Sequence, residues 1–181
     1  MAGIIRRIDE LGRIVLPKEM RKVLNLTTGD ALEISLNGSE ISVKKYLPLS
    51  KNINEILEIA KNLRAATDGS VLITDCEAVI VAEGKLSFLK GEKLTLNALE
   101  IIKNKSSFSL SKRDGAKPVK ITNNSEEDSF SQLIMPIFSG ESNAYGLVII
   151  CGFIEEKNYD ATDIKLLKFV TQMLYSYFKT E

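Results

Sequence analysis

The stretch from Gly3 to Leu24 constrains this chain more than any other. Its 22 residues hold six basic side chains: Arg6, Arg7, Arg13, Lys18, Arg21 and Lys22. Ile4, Arg6 and Ile8 share one face at period two, and Ile5 and Arg7 share the other, which predicts a strand over residues 3–8. Asp9-Glu10-Leu11-Gly12 predicts a turn, with Gly12 free to take positive φ. Arg13-Ile14-Val15-Leu16 is rich in β-branched residues and predicts a second strand. Pro17 suits the first turn of a helix, where its missing N–H costs nothing. In that helix Met20, Val23 and Leu24 fall on one face, and Lys18, Glu19, Arg21 and Lys22 fall elsewhere.

The pattern continues to residue 47. Thr27-Thr28-Gly29-Asp30 reads as a turn. Residues 31–36 alternate, with Leu32, Ile34 and Leu36 inward. Asn37-Gly38 signals a hairpin, and Ile41 and Val43 carry the inward face into its second strand. A unit of this size is too small to bury a self-sufficient core, and it has no disulfide or metal site to help. Two copies sharing one core resolve the difficulty, so an obligate homodimer is expected. Residues 1–47 carry eight Lys/Arg against six Asp/Glu, while the remainder carries sixteen against eighteen, so the zero net charge hides a basic head.

Several function classes are disfavoured. Histidine is absent, which removes Ser-His and Cys-His nucleophiles, histidine bases and histidine metal ligands together. No P-loop, HExxH or paired-carboxylate motif is visible, so an enzyme is not expected, and neither is a cofactor or a metal. No apolar run reaches 18 residues, and no apolar segment follows Arg6 and Arg7 as a signal peptide would require, so a cytoplasmic, nucleoid-associated protein without a membrane partner is expected. Cys76 and Cys151 lack CxxC spacing and lie in apolar runs, which reads as free thiols.

The segment Gly3 to Pro17, with Asp30-Ala31-Leu32-Glu33-Ile34 and Lys44-Lys45-Tyr46, closely resembles the N-terminal DNA-binding domain of AbrB-type transition-state regulators. The resemblance implies a swapped-hairpin dimer, in which strands of two subunits interleave into one β-barrel, and a double-stranded DNA partner. By motif position it places the DNA contacts at Arg6, Arg13, Arg21 and Lys22; Arg7 and Lys18, which strand alternation and helix phase turn away from Arg6 and Arg21, are the weaker candidates, as additional phosphate contacts. The family usually has a second arginine where this chain has Lys22. Lysine neutralises a phosphate but lacks arginine's flat bidentate fork, so Lys22 is assigned to the backbone of DNA rather than to base edges.

Beyond residue 47, Pro48 to Asn52 reads as a short linker. A helix follows over 53–66, with Ile53, Ile56, Leu57, Ala60 and Leu63 as its apolar stripe. Strands are predicted at 70–75, 78–82, 108–112, 119–122, 130–138 and 145–153. Helices are predicted at 94–104 and 160–179, the latter capped by Asp160 with Asp163 in its first turn. The wide apolar arc of the last helix suggests packing on the sheet and on a second subunit. This ordering is that of an α+β sensor domain. Leu133-Ile134-Met135-Pro136-Ile137 and Tyr145-Gly146-Leu147-Val148-Ile149 resemble the late strands of GAF domains.

An AbrB-like head (1–47), a linker and connecting helix (48–66) and a GAF-like body (67–181) together resemble the stage V sporulation protein T family. That resemblance implies regulation of late, forespore sporulation genes by activation or repression, and a homotetramer built through helices of the GAF-like domains. A small-molecule ligand of the body stays unassigned. Ser106, Ser107, Arg113, Asp114, Lys117 and Asn123 lie where GAF pockets are lined, but a polar surface loop is the default for such a stretch. The alternative reading is an antitoxin-type protein-binding regulator, since antitoxins reuse this head. They generally end in a short disordered tail, whereas here a long patterned body follows.

Overall fold

The computed structural model describes residues 3–24, 26–111, 115, 117–125, 129–154 and 158–179. The chain divides into a head, Met1–Tyr46, and a body, Leu47–Glu181.

In the head, helix α1 (Lys18–Val23) starts directly after Pro17, whose φ of −56° and ψ of 150° place it at the N-cap. Strands β1 (Leu32–Asn37) and β2 (Glu40–Lys45) pair antiparallel in the register Ile34↔Val43 and Leu36↔Ile41. The turn lies at Gly38-Ser39, one residue beyond the Asn37-Gly38 expected to form it, with Gly38 at φ 62°. Asp30 closes the turn before β1. Its carboxylate accepts from the Thr27 N–H at 2.8 Å and lies 3.0 Å from the Lys45 ammonium. Burial would raise its pKa, but the Thr27 N–H and the Lys45 charge outweigh that and hold it below the ordinary carboxylate value.

Two expected strands are not formed. Residues 3–8 and 13–16 carry no β-ladder in this single chain, although they flank a closed turn. A strand requires a neighbour to receive its N–H and C=O groups. A period-two pattern specifies which side chains face a partner, not which chain supplies it.

The body is a five-stranded antiparallel sheet in the order β4-β3-β7-β6-β5. Its strands are β3 (Ser70–Thr74), β4 (Val79–Glu83), β5 (Phe108–Ser111), β6 (Ser131–Pro136) and β7 (Leu147–Gly152). Both sheet faces are covered, which explains the unbroken apolar runs Val71-Leu72-Ile73 and Leu147-Val148-Ile149-Ile150. On one face helices α2 (Ile53–Thr67) and α4 (Ala161–Phe178) pack Ile56, Ala60, Leu63, Leu167, Val170 and Leu174 against Val71, Ile73, Leu133, Val148 and Ile150. On the other, helix α3 (Leu96–Asn104) packs Ala98 and Ile102 into a cluster with Leu72, Ile134, Leu147 and Ile149. Asp160 and Asp163 form a full capping box at the start of α4.

Three features of the body differ from expectation. Pro48–Asn52 is not a loose linker. Leu49 opens a 3-10 turn (Leu49–Lys51) and is fully buried. Ser50 Oγ donates to Asp75 Oδ2 at 2.5 Å, and Asp75 Oδ1 accepts from the backbone N–H groups of Glu77 and Ala78. Residues 119–122 do not form a strand. Thr122 makes a single bridge to Leu94, while the Val119 N–H and C=O are both taken by the side-chain amide of Gln132. A 3-10 helix at Gly84–Leu89, which no periodicity signals, buries Leu86 and Leu89. Gly146 is needed at a close approach. At its φ of 156° a Cβ would overlap the Thr74 carbonyl.

Candidate nucleic-acid interface

The turn from Asp9 to Arg13 is the best-defined element of the basic stretch. Gly12, at φ 76°, donates its N–H to the Asp9 carbonyl at 3.0 Å, and the Asp9 N–H donates to the Arg13 carbonyl at 3.1 Å. Asp9 Oδ1 accepts from the Leu11 N–H at 3.0 Å and the Arg13 N–H at 2.8 Å. Asp9 Oδ2 accepts from Arg13 Nε at 2.8 Å. The Arg13 N–H and then its guanidinium hold the Asp9 carboxyl below its ordinary range, so it stays charged.

Arg6 and Arg7 precede this turn and Arg13 ends it. Lys18 opens α1, and Arg21 and Lys22 lie in its last turn, where the helix dipole favours cations. All six basic side chains are exposed. The structure joins Arg13 to its turn and puts Arg21 and Lys22 side by side in sequence on one helix end.

The apolar half of the stretch is equally uncovered. Among the described residues of the head, no large aliphatic side chain is buried. Ile5 is 91% exposed, Val15 75%, Val23 70% and Leu36 74%. The expected inward face of Leu32, Ile34, Leu36, Ile41 and Val43 is therefore open or only half-covered within one chain.

A cleft of about 290 Å³ on the body is lined by Lys61, Arg64, Ala65 and Asp68. The cavity lined by Leu72, Leu86, Val119, Ile121, Gln132 and Cys151 has a volume of about 10 Å³, the space of one water. The Gln132 amide, clamped on Val119, helps to fill it. Burial pushes the Cys151 thiol up to about 12, so it stays protonated and unreactive. Ser106, Ser107, Lys117 and Asn123 are exposed, and Arg113 and Asp114 lie outside the described residues. Among the described residues no helix is long and apolar enough to cross a membrane, and no three His, Cys, Asp or Glu gather where they could hold a metal ion.

Comparison with known proteins covers both units. The family described as "Stage V sporulation protein T C-terminal, transcription factor" matches residues 53–176. Stage V sporulation protein T of Bacillus subtilis (strain 168) is 36% identical over 149 residues, 82% of each chain. The chain belongs to the stage V sporulation protein T family. Within that family assignment the head has its own relatives. The transition state regulatory protein AbrB of Bacillus subtilis (strain 168) is 50% identical over 46 residues, covering 25% of this chain and 48% of AbrB. Residues 5–48 also match the family described as "Antidote-toxin recognition MazE, bacterial antitoxin". The body shares its fold with GAF domains. The GAF domain of an Acinetobacter phosphoenolpyruvate-protein phosphotransferase superposes with a TM-score of 0.55 at 13% identity, over 72% of this chain and 87% of that one. The fold is thus α+β, an AbrB-like head joined to a GAF-like body.

Proposed function

We propose that this chain is a sequence-selective DNA-binding transcription regulator of sporulation genes, acting in the cytoplasm on the chromosome. The observation that carries the reading is the union, in one chain, of a head half identical to AbrB and a body matched by a transcription-factor family. Arg6, Arg13, Arg21 and Lys22 make the principal DNA contacts, with Arg7 and Lys18 as further phosphate contacts. Arginine reads base edges through paired N–H groups, while lysine supplies a point charge to the backbone.

The active form is a homodimer through the head. Its exposed aliphatic residues find their core in a second copy, and residues 3–8 and 13–16 find their strand partners there. Exposed apolar area on this scale marks an interface. Dimer symmetry then doubles the basic set and aligns it to two half-sites. A homotetramer forms through the GAF-like bodies, supported by Phe169 and Tyr177 of α4, which are 63% and 77% exposed. The head of residues 1–47 reads DNA, and the segment 48–66 that connects it to the sensor and oligomerisation domain of 67–181 packs Leu49, Ile56, Ala60 and Leu63 into that domain's core.

The match of the head to antitoxins supports the second reading, a regulator that binds a protein toxin. The body, absent from that match, favours the DNA regulator. The test is Arg13→Ala in the full chain. Affinity for duplexes selected from a random library falls while the oligomer persists. Unchanged affinity removes Arg13 from the interface, and co-purification with a small RNase revives the second reading.

A further inference from the structure

We propose that Asp9 is a positioning residue for DNA reading: it holds Arg13 so that the guanidinium meets a base end-on, through Nη1 and Nη2. The proposal rests on the reading of Arg13 as a DNA contact.

Asp9 is locked in place by the turn it closes. Both its backbone groups and Oδ1 are engaged within residues 9–13. The remaining carboxylate oxygen, Oδ2, accepts the single Nε–H of Arg13 at 2.8 Å. The Arg13 and Asp9 side chains are 70% and 41% exposed. An ion pair so open to water contributes little to stability, so what it supplies is geometry.

A guanidinium has one N–H on Nε and two on each Nη. It forms a bidentate pair with guanine O6 and N7 either side-on, through Nε and one Nη, or end-on, through both Nη groups. With Nε committed to Asp9, only the end-on fork is left. The same carboxylate places a fixed negative charge beside the arginine, which disfavours indiscriminate contact with phosphates. Asp9 therefore raises selectivity while lowering non-specific affinity.

The test is Asp9→Asn in the full chain. Asparagine keeps an oxygen for the Leu11 and Arg13 N–H groups but sets an amide N–H₂, a donor, against Nε–H. Affinities are measured for a selected duplex and a random-sequence duplex at one salt concentration. Random-sequence affinity should rise, and the selected-to-random ratio should fall roughly tenfold, the scale of one bidentate base contact. A merely structural role would lower both affinities together and leave the ratio unchanged, and that result overturns the proposal.

A cycle with Arg13→Lys, which keeps the charge and loses the fork, covers the case of a disturbed turn. The double variant should lose no more ratio than Arg13→Lys alone, because Asp9 acts through the fork. Additive losses overturn the proposal. If Arg13→Ala leaves selected-duplex affinity intact, the DNA role of Arg13 fails, and the positioning role fails with it. If Arg13→Ala abolishes selectivity and Asp9→Asn does not alter it, only the positioning role fails.

Discussion

Ile34 lies on β1 opposite Val43, and 69% of it is open to solvent in a single chain. Truncation to alanine therefore separates a monomeric head from a dimeric one. In a monomer Ile34→Ala is a surface substitution and shifts stability by no more than about 0.5 kcal/mol. If a second head covers the side chain, the substitution removes three carbon groups from a core. At ~0.8 kcal/mol each, scaled by the covered 69%, the loss is about 1.7 kcal/mol per subunit and about 3.3 per dimer. That corresponds to more than a hundredfold in the dissociation constant at about 1.4 kcal/mol per tenfold. Hydrogen exchange at the β1–β2 amides of the full chain reads this directly. The opening free energy should fall by about 3 kcal/mol per dimer, and it should depend on protein concentration. A change under about 0.5 kcal/mol, without concentration dependence, would refute the shared core.

Two further outcomes follow from the hydrogen-bond pattern. Asp75→Ala leaves the Ser50 hydroxyl and the Glu77 and Ala78 N–H groups without their acceptor, and should cost the body about 2–4 kcal/mol in urea unfolding. A loss under about 0.5 kcal/mol would show that water replaces the carboxylate. The pKa of Asp30 is depressed in the folded head. Its contribution is therefore fully present above the ordinary 3.8 and is lost as pH falls through the depressed value. Head stability followed by amide exchange should drop with acid below about pH 4, and Asp30→Asn should flatten that drop.

Legibility in the sequence followed where each segment's partners lie. β3, β7 and α4 were readable because their partners are in the same domain. Val71 to Ile73 and Leu147 to Ile150 are buried on both faces, and Asp160 caps its own helix. The strands expected at 3–8 and 13–16 rested on alternation, and one chain offers them no ladder. The error at 119–122 has a different cause. There a side chain, Gln132, occupies the backbone groups that a strand would have used, and no local pattern signals it. Leu49 shows the opposite failure. A single buried leucine after a proline converts an apparent linker into an anchored turn, and one residue has no periodicity to detect. In the head, the six basic residues were legible as types and positions, and the structure places them on exposed segments. The Asp9 carboxylate was not legible, because its importance lies in a closed turn whose geometry composition does not reveal.

The salt dependence of operator binding tests DNA recognition most directly. A dimer presenting Arg6, Arg13, Arg21 and Lys22 twice over has eight cations to set against DNA. If Arg13 meets a base and the other six cations meet phosphates, log K should fall against log salt with a slope of ~−5 for the full chain on a selected duplex, and Arg21→Ala or Lys22→Ala, each removing two cations from the dimer, should make it shallower by about 2. A slope shallower than about −2, unchanged by Arg21→Ala or Lys22→Ala, would contradict the interface.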